Sequence, residues 1–268
     1  MFPKRRIILI VLAIFLLALP NAAFAAPAKA AVDKDLLDQG IVTVDYAIGK
    51  NAKAIVRVVK GKVHYDYNLV EGAQYPLQLG DGKYTILIAE AVGGTKYKVV
   101  AQEEVVLEME DANAVFLQTI PPIDWNEETL AVVKAAELTE DLETDEEKLA
   151  AIYQYITETI EYDYELAATV EPGYIPNLDE VFEAEKGICY DYAATFAAMA
   201  RSVGLPTKLV MGYQMDDPDT YHAWNEVYLE ETDEWVTIDT TYDAAAVQNG
   251  EAAEMIKDAA DYTVAKFY

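Results

Sequence analysis

The hydrophobic pattern of this chain changes period once, and the change falls at Pro121-Pro122. From Ile41 to about Met109, apolar and polar residues alternate. Val42, Val44, Tyr46 and Ile48 make one run; Val63, Tyr65, Tyr67 and Leu69 alternate with His64, Asp66 and Asn68 in another. A period of two belongs to strands with one buried face. Turn signals at Lys60-Gly61-Lys62, Gly80-Asp81-Gly82 and Gly93-Gly94 divide the region into about six or seven short strands, which predicts a small all-β sandwich over 41–121. His64 falls on the polar face of its strand and needs no function.

Beyond the two prolines the pattern becomes helical. Thr144-Asp145-Glu146-Glu147 reads as a capping box, followed by Leu149, Ile152, Tyr153, Ile156 and Ile160 at helical spacing. A second helix is expected from Cys189 to Arg201, stopped by Gly204 and Pro206, with Ala193, Ala194, Ala197, Ala198 and Ala200 giving it a slim surface for close packing on a sheet. Strands are expected at Thr207–Tyr213, Tyr221–Leu229 and Glu234–Thr240, and a weak helical signal in the tail from Ala244 to Tyr268. Helices followed by an antiparallel sheet give an α+β layout for a second domain, residues 122–268.

At the N-terminus, Lys4, Arg5 and Arg6 precede an apolar run from Ile7 to Leu19, then Pro20 and Ala23-Phe24-Ala25-Ala26. This is the order of a secretory signal peptide, residues 1–25, with cleavage near Ala25. The alternative is an uncleaved membrane anchor, but a bilayer-spanning helix needs about 20 apolar residues. A secreted chain with no membrane span is therefore expected, its residues 26–40 forming a tether.

With 47 Asp and Glu against 20 Lys and Arg, the net charge is −27. Such an excess disfavours nucleic acid and anionic membranes as partners, because phosphate binding rests on Lys and Arg. Solubility accounts for it more simply than calcium at Asp216-Asp217-Pro218-Asp219, where no loop has recognised calcium spacing. The single cysteine, Cys189, excludes an intrachain disulfide and multi-cysteine metal sites, and neither a metal nor another cofactor is expected. Any chemistry needing imidazole has only His64 and His222 to draw on.

Three segments of the second half hold the scarce reactive residues: Gly187-Ile188-Cys189-Tyr190-Asp191-Tyr192, Tyr221-His222-Ala223-Trp224-Asn225, and Trp235 through Asp239 to Thr241. A thiol attacks an acyl carbon as thiolate, which the unpaired N–H groups at a helix start and a neighbouring imidazolium both favour. Gly187 relieves crowding at the helix entry. Strand alternation places His222, Trp224 and Glu226 on one face and Trp235, Thr237 and Asp239 on one face of the next strand. A two-residue hairpin loop at Glu230-Glu231 sets His222 opposite Asp239. A four-residue loop at 231–234 keeps them on one face but displaced along it. Each piece alone has a plainer reading: a buried packing thiol, a structural histidine, a turn-forming aspartate. Together they form a candidate Cys-His-Asp nucleophilic site.

The stretch from Gly187 to Tyr242 resembles the transglutaminase-like superfamily. The matching features are Gly-x-Cys-x-Asp-Tyr-Ala at 187–193, Arg201 with Gly204-Leu205-Pro206, Gly212-Tyr213, His222-Ala223-Trp224-Asn225, and Trp235 leading to Asp239-Thr240-Thr241. With its helical lead-in the match covers about 120 to 242. The resemblance implies a papain-like core with Cys189 as nucleophile, His222 as general acid/base and Asp239 as its orienting partner. Tyr162, Tyr190 and Trp224 are the candidates it offers for oxyanion stabilisation or substrate binding. It also implies a peptide or protein substrate opened at an amide through a thioester; the three residues serve both hydrolysis, as in a protease or amidase, and transglutaminase cross-linking, and hydrolysis is the preferred expectation. A noncatalytic surface or binding module is the reading of another class.

Overall fold

The computed structural model of the protein describes residues 31–49 and 53–268; the expected signal peptide and residues 26–30 of the expected tether lie outside the described residues. The alternating half contains β1 (Ala31–Asp33), β2 (Ile41–Asp45), β3 (Ala54–Lys60), β4 (Val63–Asn68), β5 (Gln74–Pro76), β6 (Gly82–Gly93) and β7 (Lys96–Leu107). They form two antiparallel sheets, β1-β2-β5 and β4-β3-β6-β7. Val42 and Val44 of the first sheet bury against the apolar faces of Val56, Tyr65, Tyr67, Ile86 and Ile88 in the second. The sandwich follows from the alternation, since a half-apolar sheet needs a partner face. Residues 31–33, expected to belong to a tether, instead pair with β2 as an edge strand.

The second half runs α1 (Leu130–Thr139), α2 (Asp145–Thr159), β8 (Glu161–Tyr162), α3 (Tyr164–Thr169), α4 (Leu178–Ala184), β9 (Lys186–Gly187), α5 (Cys189–Ser202), β10 (Thr207–Gln214), β11 (His222–Leu229), β12 (Glu234–Ile238), α6 (Thr240–Gln248), β13 (Ile256–Lys257) and β14 (Tyr262–Phe267). The capping box forms as expected: Thr144 Oγ1 accepts from the Glu147 N–H, and the Glu147 carboxylate accepts from the Thr144 N–H, both at 3.2 Å. Helix α5 is buried along its whole middle, Asp191 to Arg201. Its alanines lie against Leu209 and Ala223 of the main sheet, whose order is β13-β12-β11-β10-β14. Small side chains let helix and strand approach closely enough for Asn225 Nδ2 to donate to the Ala193 carbonyl at 2.9 Å. The tail departs from its weak helical signal: after α6 only a single 3-10 turn at Ala259–Asp261 is helical, and β13 and β14 add to opposite edges of the sheet.

The apolar cluster does not stop at the prolines. Tyr65 and Tyr67 of the sandwich meet the Tyr268 ring edge-on, at 5.5 and 6.0 Å between centroids. Buried Arg201 spans the same junction, donating to the backbone carbonyls of Thr207, Gln118 and Tyr268. Burial pulls its pKa down to about 9. The two halves therefore share apolar packing and a buried hydrogen-bonded hub.

Candidate active site

Cys189 is the first residue of α5 and is half-buried. Its N–H consequently has no acceptor within the helix and is free for a ligand. The entry to the helix is tight. The Asp191 carboxylate reaches back to accept from the Ile188 N–H at 2.8 Å and also accepts from the Tyr174 hydroxyl at 2.7 Å. A Cβ on Gly187 would lie 2.6 Å from Asp191 Cβ, so glycine is required there by close approach. Burial raises the Asp191 pKa, although both hydrogen bonds act to lower it.

His222 begins β11, and Asp239 follows the last residue of β12 as the N-cap of α6. The hairpin between these strands has a four-residue loop, 230–233, with Asp233 in the left-handed region at φ 58°. Its register pairs Leu229 with Glu234 and Asn225 with Ile238, intermediate between the two loops weighed from the sequence. Parity is kept, so His222 and Asp239 share a face. The bend into α6 then brings Asp239 Oδ2 to 2.8 Å from His222 Nε2. Cys189 bears on the same imidazole. Burial pulls the His222 pKa down, but hydrogen bonding and charge from Asp239 and Cys189 outweigh it and push the pKa up to about 10. The ring is thus held as imidazolium at neutral pH, suited to donate a proton.

Asp239 is fully buried, yet its carboxylate is well supplied with donors. Oδ1 accepts from the Tyr242 N–H at 3.1 Å, while Oδ2 accepts from Gln214 Nε2 and the Tyr262 hydroxyl, each at 3.1 Å, besides His222. Sequence reasoning missed Gln214 and Tyr262. Tyr262 lay in a tail given a helical bias, although Tyr262-Thr263-Val264 and Phe267 are strand-forming residues. Gln214 sits at the end of a strand with nothing local to single it out.

The other candidates take different places. Tyr162 pairs in register with Gly187, two residues before Cys189, across the short parallel β8–β9 ladder. Burial raises its pKa, with the Cys189 charge next, so it stays a hydroxyl donor. It lines a cleft of about 430 Å³ together with Tyr164, Tyr192, His222, Tyr242 and Gln248. Tyr190 points toward the junction of the two halves, with its ring 6.3 Å from that of Tyr174. Trp224 is buried behind the imidazole, its ring stacked on His222 at 6.2 Å and tilted against Tyr262 at 4.9 Å, and is not among the residues lining the cleft. Among the described residues, no group of three or more His, Cys, Asp or Glu is placed to hold a metal ion.

Residues 134–240 match the family model described as the transglutaminase-like superfamily. The mouse kyphoscoliosis peptidase is 31% identical over 121 residues, 42% of this chain and 18% of that protein. A protein-glutamine γ-glutamyltransferase of Pseudomonas aeruginosa is 32% identical over 78 residues, 25% of this chain and 12% of its own. The chain thus spans less than a fifth of the length of these curated relatives. The solved periplasmic domain of TgpA from Pseudomonas aeruginosa aligns over 85% of this chain and all of its own, with 14% identity and a TM-score of 0.40. Cysteine-dependent acyl transfer and hydrolysis are the chemistry of the transglutaminase-like superfamily, and residues 134–240 are the segment of this chain that matches it.

Proposed function

We propose that the protein is an exported thiol enzyme that opens peptide or glutamine side-chain amides through a thioester on Cys189, with water as the usual second nucleophile. The observation that carries this reading is the His222 imidazole held 2.8 Å from the buried, hydrogen-bonded Asp239, with the Cys189 side chain on the same ring. In the first step the Cys189 sulfur attacks the carboxamide carbon. His222 gives its proton to the departing amine or ammonia, leaving a thioester. In the second step the neutral imidazole takes a proton from the incoming water or amine, and the sulfur leaves. The oxyanion is met by the free Cys189 N–H and by the Tyr162 hydroxyl, which stands beside Gly187 and makes no hydrogen bond to the protein among the described residues. Asp239 keeps the ring oriented throughout. Export rests on the charge, apolar core and Ala-x-Ala order of residues 1–25. Among the described residues, no helix is long and apolar enough to cross a membrane.

The test is to incubate the protein with a glutamine-containing peptide, with and without a primary amine, and to read the products by mass spectrometry. Deamidation or chain cleavage is expected, lost in Cys189→Ala with the thermal melt preserved. Coupling of the amine as the main product would replace hydrolysis by cross-linking. Absence of any reaction across a varied amide panel, or equal turnover by Cys189→Ala, would remove the enzymatic reading and leave a binding module.

A further inference from the structure

We infer that Gln214 and Tyr262 are positioning residues that hold the Asp239 carboxylate aimed at His222, so that strand β14, outside the family-matched segment 134–240, is a working part of the active site. The inference rests on the Cys-His-Asp reading above. A carboxylate with no exposure to water reverts to its neutral form unless donors replace the lost hydration. His222 and the Tyr242 N–H supply two; Gln214 and Tyr262 supply two more, both on Oδ2, the oxygen that faces the imidazole. Three donors converging on one oxygen fix the rotation of the carboxylate about its last bond.

The placement of the pair is specific. Gln214 and Tyr262 are cross-strand partners at the end of the β10–β14 ladder, beyond the first residue of β11, so both side chains reach over the sheet end onto Asp239. The backbone is shaped for this approach. The β10–β14 register shifts between Met211 and Gly212, and a Cβ on Gly212 would lie 2.0 Å from the Thr263 carbonyl oxygen, next to Tyr262. The other charged or titratable groups near Asp239 are satisfied separately. Asp243, one turn further on α6, is paired with Lys257 of β13 at 2.6 Å and accepts from Tyr153 of α2 at 2.8 Å. Burial and the Asp239 charge keep the Tyr262 phenol protonated, so it remains a donor.

The assay is the rate of Cys189 alkylation by iodoacetamide as a function of pH, with thermal melts run in parallel on wild type, His222→Ala, Tyr262→Phe and Gln214→Glu. Losing a donor lets the Asp239 carboxylate turn from His222, which weakens the imidazolium and the support it gives the Cys189 thiolate. In Tyr262→Phe the acid limb of the profile is therefore expected to move up by about one pH unit, the equivalent of one hydrogen bond to a charged acceptor. Gln214→Glu, which sets a second carboxylate against Asp239, is expected to move it further. A merely structural role would lower the melting temperature or the amplitude and leave the limb in place; that result in both variants overturns the inference. A profile that His222→Ala does not alter would instead remove the Cys-His-Asp reading itself.

Discussion

The ion pair at the centre of the site can be tested on one atom. Asp239→Asn preserves size but removes the charge. With its oxygen kept on the Tyr242 N–H, its NH₂ replaces the carboxylate oxygen that accepts from His222, Gln214 and Tyr262, so the bond from the imidazolium is lost. A hydrogen bond to a charged partner contributes about 1.5–3 kcal/mol, or about 1–2 pKa units on the imidazole. The His222 pKa, about 10 in the intact site, is expected to fall by at least that amount. Two histidines make the imidazole titration readable by NMR, since exposed His64 lies on the sandwich and gives the only other signal.

The same shift has a consequence for stability. A histidine whose folded pKa lies above its unfolded value stabilises the fold fully below about pH 6.5 and loses that contribution as pH rises toward 10. Converted directly, the shift is worth at most about 5 kcal/mol. Urea melts are therefore expected to show a wider gap between wild type and Asp239→Asn at pH 6 than at pH 10. An imidazole that titrates near 6.5 in the wild type, or a gap independent of pH, would refute the reasoning.

Tyr162→Phe removes one oxyanion donor and no packing volume. It is expected to lower kcat by about 10²–10³ with KM little changed, as steady-state kinetics on the best amide would show; a KM effect alone would make Tyr162 a binding residue. Gly187→Ala drives a methyl group to within 2.6 Å of Asp191 Cβ. It is expected to cost about 1–3 kcal/mol in urea unfolding and to slow Cys189 alkylation, because Asp191 holds the N–H just before the nucleophile helix.

Much of this molecule is local and therefore readable in one dimension. Alternation from Ile41 to Met109 specifies half-buried strands, and the Thr144 capping box and the Gly204 stop mark helix ends close to where α2 and α5 begin or finish. Alternation along each strand placed His222 with Trp224 and Asp239 with Thr237, and an even-length loop such as the four-residue 230–233 then sets the two on one face. What a one-dimensional pattern lacks is the relation between segments far apart in the chain. The hairpin register waited on Asp233 adopting the left-handed turn conformation. Tyr262 became a partner of Asp239 only through an edge strand paired with β10 some 50 residues earlier in the chain, a pairing that no residue of either strand announces. Residue types and periods set which elements form and which atoms can react. Three-dimensional packing decided the hydrogen-bond partners of the buried carboxylate, since donors to a group cut off from water can come from any part of the chain that reaches it.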